Sequence, residues 1–552
     1  MWQKNRAAAG ATRDCRVLLV HPPFLGRSFW NYQETLKAVG RRYSNTPLGL
    51  ATVAALLPER FEVRLIDCNV EELTDADLGW ADVVGTGGML SQQRGARQVI
   101  ARAKRLGCFV VAGGPDVSTS PDIYADADVR VIGEAEAVQQ ELIEAIDQRK
   151  SGAILRAAAF PDITRSPIPR FDLLRVERYL HVGVQVTRGC PHRCEFCSVI
   201  ELNGRRPRSK TPAQVLAELE ALYQMGYRGH VDFVDDNFIG DRRTAKALLK
   251  ALLPWLEERG QPFEFSSEVS LDLGADDELL DLMRRANFFA VFVGVETPDP
   301  EALRASNKQQ NLRQDIVQSL VKIQRAGIFI NGGFIVGFDA EHENVADRMV
   351  GCIEDSAVTV CMVGLLYALP GTQLAQRLAE EGRLEGLFDD TALGSEDDAD
   401  QCTSGLNFRT LRPKSDTLMD YRDVIRRIYE PGAYFGRVRR LVRMLDRKGS
   451  RFRPRPRQIR ADLASFLRIS LAAGWRNTAT RRDYWYSLLD ALVHNPRGAK
   501  AAVSMAALYL HLGPFAEHVE SLVEQRLSAL ASEAPRSGHV REPAPSPQVV
   551  GA

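Results

Sequence analysis

The sequence predicts an α/β protein in three parts: an N-terminal doubly wound, Rossmann-like domain, a partial (β/α)6 barrel, and a C-terminal helical domain. Two observations predict the sheets and a third the helices. Short apolar runs alternate with helical stretches over 16–146 and again over 181–403, and Val/Ile/Leu runs ending in Gly, Pro or Asp are the mark of parallel strands covered on both faces. Beyond residue 404 the strand signals stop. The 552 residues allow three to four folding units of about 150 residues each. With 45% apolar and 26% charged residues, wholesale disorder, collagen-like repetition and a membrane-embedded body are disfavoured. Lys+Arg and Asp+Glu both number 71, so no whole-protein field points to nucleic acid.

The first series places strands at 17–20, 63–66, 83–85, 109–112 and 129–132, a sheet of five. Residues 147–180, with Pro161, Pro167 and Pro169, read as a connector. The second series places strands from 182 and at 230–236, 263–269, 290–296, 328–338 and 358–369. Helical spacing of apolar residues marks 212–225, 242–258, 276–286 and 312–326. Such a series curls into a barrel, here of six units. Residues 385–400 hold seven acids, and Arg437 to Arg460 hold eleven basic residues against one acid. The run from Ala501 to Ala516 carries no formal charge and reads as a buried helix. Aromatics at Tyr421, Tyr429, Tyr434, Phe435, Trp475, Tyr484, Trp485 and Tyr486 are candidate pocket walls, though most suit a core. The segment 404–530 is predicted helical and 531–552 a disordered tail. The N-terminus lacks the apolar core of a secretory signal and no run reaches the roughly 20 apolar residues of a span, which predicts a cytoplasmic protein. The basic C-terminal run leaves open a peripheral contact with the inner membrane.

Three of nine cysteines stand within eight residues, in Thr187-Arg-Gly-Cys190-Pro-His-Arg-Cys194-Glu-Phe-Cys197, just after the first strand of the second series. A loop this short wraps a compact [4Fe-4S] cluster, and three thiolates on four irons leave one iron open. Structural zinc wants four protein ligands in paired elements, and no second cysteine pair exists. His192 as a fourth zinc ligand is strained by its place between Cys190 and Cys194. The glycine loops of the first series, Gly87-Gly-Met89-Leu-Ser91, Gly113-Gly114-Pro-Asp and Gly133-Glu134, all follow strands and permit close approach of a large flat ligand or a nucleotide tail. The plain alternative is a degenerate sheet that only shields the barrel.

With the cysteine loop after its first barrel strand, residues 180–400 resemble the radical S-adenosylmethionine (SAM) superfamily. The resemblance implies that Cys190, Cys194 and Cys197 hold the cluster, that its open iron binds SAM, and that the reduced cluster cleaves SAM to a 5′-deoxyadenosyl radical. It places Phe196 near the adenine. Asp235 and Asp236 stand where many relatives carry a Gly-Gly-Glu element for the SAM amino group, although an Asp pair capping a helix explains them equally. Glu268 and Glu296 end strands where carboxylates accept from ribose hydroxyls. Gly333, Ile335 and Gly337 match a G-x-I-x-G pattern against which adenine lies. The glycine loops resemble the cobalamin-binding domain of one large class of this superfamily, which implies cobalamin contacts at Met89, Ser91, Gly113, Gly114, Gly133 and Glu134. No D-x-H-x-x-G is present, so cobalamin is expected without a histidine on cobalt; His21 lacks that spacing. The whole chain resembles cobalamin-binding radical SAM methylases, in the group containing hopanoid C-2 methylases. The implied activity is methylation of an unactivated carbon of a polycyclic apolar metabolite, with a bacteriochlorophyll precursor as the alternative substrate. The implied cofactors are a [4Fe-4S] cluster, SAM and cobalamin. The implied partners are a small apolar substrate and an external electron donor such as flavodoxin or ferredoxin, with no nucleic acid. No residue beyond these cofactor contacts stands out as catalytic.

Overall fold

The computed structural model describes residues 15–385, 402–403, 405–446 and 451–533. In chain order the strands are β1 (Arg16–His21), β2 (Tyr43–Asn45), β3 (Glu62–Asp67), β4 (Val83–Thr86), β5 (Phe109–Ala112), β6 (Val129–Ile132) and β7 (Ala153–Arg156). After them come β8 (Tyr179–Val184), β9 (Thr187–Arg188), β10 (Arg208–Ser209), β11 (Gly229–Phe233), β12 (Phe263–Val269), β13 (Phe288–Glu296), β14 (Phe329–Val336) and β15 (Val360–Leu365). One sheet runs β3-β1-β4-β5-β6-β7 and the other β15-β14-β13-β12-β11-β8-β2, with every pairing in both parallel.

Alternation along β1 shows why the first sheet is doubly wound. Val17 and Leu19 enter one core, while Leu18 and Val20 enter a second on the opposite face with Val84, Val99, Ile100 and Val110. In the barrel, the Pro212–Gln224 helix starts where Thr211 accepts from the Gln214 backbone N–H, with Pro212 at the first helical position. The Arg242–Glu258 helix is capped by Asp241.

Four differences from the sequence-based expectation stand out. The first sheet has six strands, because β7 lies inside the span 147–180 expected to be a connector. Its four residues alternate half-buried and exposed at a sheet edge, too short a run for periodicity to register. The two units also share a sheet: β2 leaves the N-terminal unit and pairs with β8, Tyr43 opposite Tyr179 and Asn45 opposite His181. The last helix, Ala499–Glu533, runs past 530 and takes in the first residues of the expected tail; the rest of that tail, and all but the first residue of the acidic run at 385–400, lie outside the described residues. The basic run, left open to a membrane contact, begins inside the core. Arg437 is fully buried, its guanidinium bonded to the Glu354 carboxylate and to the Val358 and Ile428 carbonyls. The apolar stretch 501–516 is core, as expected, with Tyr509 donating to the Tyr429 carbonyl.

Candidate functional site

A cavity of about 2000 Å³ lies between the loops after β4, β5 and β6 and the interior of the barrel. It gathers most of the residues singled out in the sequence: Met89, Ser91, Gly113, Gly114, Gly133 and Glu134 from the first sheet, and Phe196, Cys197, Asp235, Asp236, Glu268, Glu296, Gly333 and Ile335 from the barrel. Cys190, Cys194 and Gly337 do not line it.

The cysteine loop is held by backbone bonds and two carboxylates. β9 pairs antiparallel with β10, and the Cys190 N–H donates to the Gly204 carbonyl at 3.2 Å. Gly189 has φ +93° and faces the Asn203 and Gly204 carbonyls so closely that a Cβ would fall 2.9 and 2.7 Å from them, so only glycine fits. Asp235 Oδ1 accepts from the Val186 and Thr187 N–H groups at 2.7 and 3.0 Å; Asp236 Oδ2 accepts from the Gly189 N–H and Asn203 Nδ2, both at 2.9 Å. The Asp pair therefore braces the loop rather than capping a helix. Asp235 Oδ2 is left buried without a partner, and burial pushes this carboxyl up to about 7.

The donor set suits an iron–sulfur cluster. Asn237 Nδ2 lies 3.9 Å from Cys190 Sγ and Gln310 Nε2 lies 3.7 Å from Cys194 Sγ, amide donors of the kind that tune cluster sulfurs. Burial pushes all three thiols up, Cys197 to about 12, so ligation must displace a proton at each. A buried cation supplies counter-charge: Lys308 Nζ sits 2.6 Å from Glu296 Oε1 and 6.0 Å from the Phe196 ring centroid. Despite desolvation, the Glu296 carboxylate keeps this ammonium protonated. Gly294 makes room for the pair, since a Cβ there would lie 2.4 Å from Glu296 Oε1. Lys308 and Gln310 carry no motif and were invisible to sequence reasoning.

Three further positions make contacts within the chain itself. Glu296 is committed to Lys308, in a left-handed conformation at φ +65°. The space left by Gly333 is taken by Phe292, whose Cζ would lie 2.7 Å from an added Cβ. Gly337 turns the chain away from the cavity at φ +113°, its N–H donating to Glu341 Oε2 at 2.8 Å. Ile335 stays on the cavity wall. Glu268 projects into the cavity, and enclosure, with repulsion from Asp232, Asp236 and Asp235, pushes it up to about 8.

On the first sheet, Gly114 (φ +99°) and Gly133 (φ +91°) bring backbone to the cavity surface, and Met89 stands exposed on the loop after β4. Glu134 is less free than expected. Its carboxylate takes both Arg188 and Arg208 of the barrel, while Arg188 also reaches Glu136 at 2.7 Å. This buried clamp ties the two units together beside the cysteine loop. His21 is held by Asp67 at 3.1 Å and Gln92 at 3.2 Å, and it too lines the cavity.

The barrel floor holds a polar group that sequence reasoning missed, because each member reads as an ordinary strand residue. His230 Nε2 lies 2.6 Å from Ser266 Oγ, which donates to Asp232; the His181 and His230 rings are 4.8 Å apart, and His181 Nδ1 has no partner. Desolvation lowers both imidazoles, so they are neutral. Apolar walls surround them: Trp30, Phe289, Phe292 and Phe329, with Phe466 and Leu488 from the C-terminal helices. Of the C-terminal aromatics expected as pocket walls, Tyr421, Tyr429, Tyr434, Phe435 and Tyr484 are core, and none lines the cavity.

Comparison with known proteins agrees with this geometry. Residues 184–350 match the radical SAM superfamily, and residues 372–525 match a domain of unknown function. The chain is 38% identical to an uncharacterized methyltransferase of Synechocystis sp., over 97% of this chain and 98% of that one. It is 35% identical to the hopanoid C-2 methylase of Rhodopseudomonas palustris, over 78% of this chain and 80% of that one. The fold matches that of the radical SAM methyltransferase TsrM from Kitasatospora setae, solved with cobalamin and a [4Fe-4S] cluster, at a TM-score of 0.55 and 18% identity over 90% of this chain and 99% of that one. The chain therefore belongs to the cobalamin-binding radical SAM methylases, in the group that contains hopanoid C-2 methylases.

Proposed function

We propose that this methyltransferase places a methyl group on an unactivated carbon of a polycyclic apolar metabolite, as a hopanoid C-2 methylase does. One observation carries the reading: a single cavity joins the cysteine loop, the glycine loops and an aromatic wall. Cys190, Cys194 and Cys197 hold the cluster. The unpartnered Asp235 Oδ2 and Glu268 receive the polar groups of SAM, with Phe196 and Ile335 beside its adenine. Gly113, Gly114 and Gly133 carry cobalamin by backbone approach, with Met89 and Ser91 alongside. When bound, these groups supply a hydrogen-abstracting radical and a transferable methyl group, which is the chemistry that a C–H bond without an acidic proton requires.

The chain's own residues do the rest. Trp30, Phe289, Phe292 and Phe329 exclude water and orient an apolar skeleton. The His181, His230, Asp232 and Ser266 group meets a hydroxyl on it, since neutral imidazoles beside carboxylates accept and donate without favouring an anion. An external electron donor of the flavodoxin or ferredoxin type completes the reaction, and the enzyme works as a peripheral protein at a membrane surface. No helix among the described residues is long and apolar enough to cross a membrane. The test is anaerobic reconstitution with iron, sulfide and cobalamin, followed by mass analysis of products from a hopene and a chlorin. A one-methylene gain on the hopene alone is expected; a gain on the chlorin alone overturns the substrate reading.

A further inference from the structure

Ten of the 21 large apolar side chains exposed among the described residues fall between 459 and 493. They form two helical stripes. On the Pro456–Leu471 helix, Ile459, Leu463, Leu467 and Leu471 recur every fourth residue; on the Arg481–His494 helix, Tyr486, Leu489 and Val493 follow at three and four. Trp475, 72% exposed, stands at the turn between them, and Val493 is 76% exposed. Exposed apolar stripes of this kind, joined through the turn that carries Trp475, mark an interaction site.

Its rim is basic. Residues 451–500 carry eleven Lys and Arg against three Asp. All three Asp are already engaged, Asp462 with Lys500, Asp483 with Arg439 and Asp490 with Arg443. Arg460, Arg476, Arg482 and Arg497 have no ion-pair partner among the described residues. Two copies of such a face brought together oppose like charges, which disfavours self-association. An anionic interface with an apolar interior satisfies both the rim and the stripes, and an aromatic at the boundary suits the headgroup level.

The face also meets the cavity. Ile459, Leu463 and Leu492 are exposed and line the cavity at once. We propose that the Pro456–Leu471 and Arg481–His494 helices dock on an anionic lipid bilayer, and that the cavity opens into its acyl region, so that substrate enters without crossing water. The entry route rests on the apolar-substrate reading above, whereas docking rests on the surface alone.

The experiment is co-sedimentation of the full chain with vesicles of phosphatidylcholine, alone or mixed with phosphatidylglycerol. Binding to the mixed vesicles, weakened by salt, is expected. Arg476→Glu/Arg482→Glu and Trp475→Ser/Leu489→Ser are each expected to weaken it by roughly tenfold or more, while deoxyadenosine release from SAM in detergent stays at the wild-type level. A chain that remains in the supernatant with mixed vesicles, or variants that sediment like wild type, overturns the proposal. So does analytical ultracentrifugation showing a dimer that Trp475→Ser/Leu489→Ser dissolves. Vesicle binding needs no cofactor, so failure of the hopene assay with vesicle binding intact counts against the substrate reading alone.

Discussion

Two parallel sheets face one cavity and equip it in opposite ways. The first presents backbone, with glycines at the ends of β4, β5 and β6 and few charged groups besides the clamped Glu134. The barrel presents side chains: the Cys197 thiol, a braced Asp pair, Glu268, and Glu296 with Lys308 behind it. A large ligand that brings its own functional groups needs close approach and shape. A small inorganic cluster and a charged cosubstrate need donors and counter-charges. The same strand-end geometry therefore serves two kinds of recognition, decided by which atoms the loops expose.

Breaking the barrel's half should leave the other half working. In Cys194→Ala, cluster iron and deoxyadenosine formation are expected to fall to background while the corrinoid absorption band persists; loss of both would show that the two halves load as one. Next in size is the clamp between them. Arg188→Met leaves Glu136 and part of Glu134 uncompensated in a buried site, with a cost of about 3–5 kcal/mol in unfolding free energy. An unchanged calorimetric transition would mean that the units stand independently. A smaller, local effect is expected on the backbone side: Gly114→Ala, forced to φ +99°, carries a strain of about 1–3 kcal/mol. It should appear as weaker cobalamin retention at unchanged iron content.

The smallest effect is electrostatic. Enclosure first, then the neighbouring acids, raise the Glu268 carboxyl to about 8, so the folded chain binds this proton more tightly than the unfolded chain. Its stabilising contribution is complete below the ordinary carboxylate range and is lost as pH rises through about 8. Urea unfolding of the cofactor-free chain should show the decline, and Glu268→Gln should flatten it.

The cysteine loop and the strand runs were legible because ligand spacing and apolar continuity are local. Glu268 followed from strand position and Ile335 from a sequence pattern. What escaped depends on long-range packing. Lys308 and Gln310 follow β13 without a motif, yet reach the cysteine loop more than a hundred residues away. Gly333 and Gly337 matched a pattern, but Phe292 and Leu406 stand where their missing side chains would be. The leucine stripe at 463, 467 and 471 has the spacing of a core face, and periodicity cannot say whether anything covers it.

The strand β2 has a consequence for biogenesis. Thr46, just past its end, accepts the backbone N–H of Gly183, a partner 137 residues further along. At a synthesis rate of ~5–20 residues per second, the N-terminal unit waits roughly 7–27 s with that strand unmated. A chain cut before β8 would keep it so, and a barrel expressed without the first unit would offer the open side of β8 to its neighbours, a template for aggregation. The enzyme's two halves are thus stitched during translation, and neither is a module to be transplanted alone.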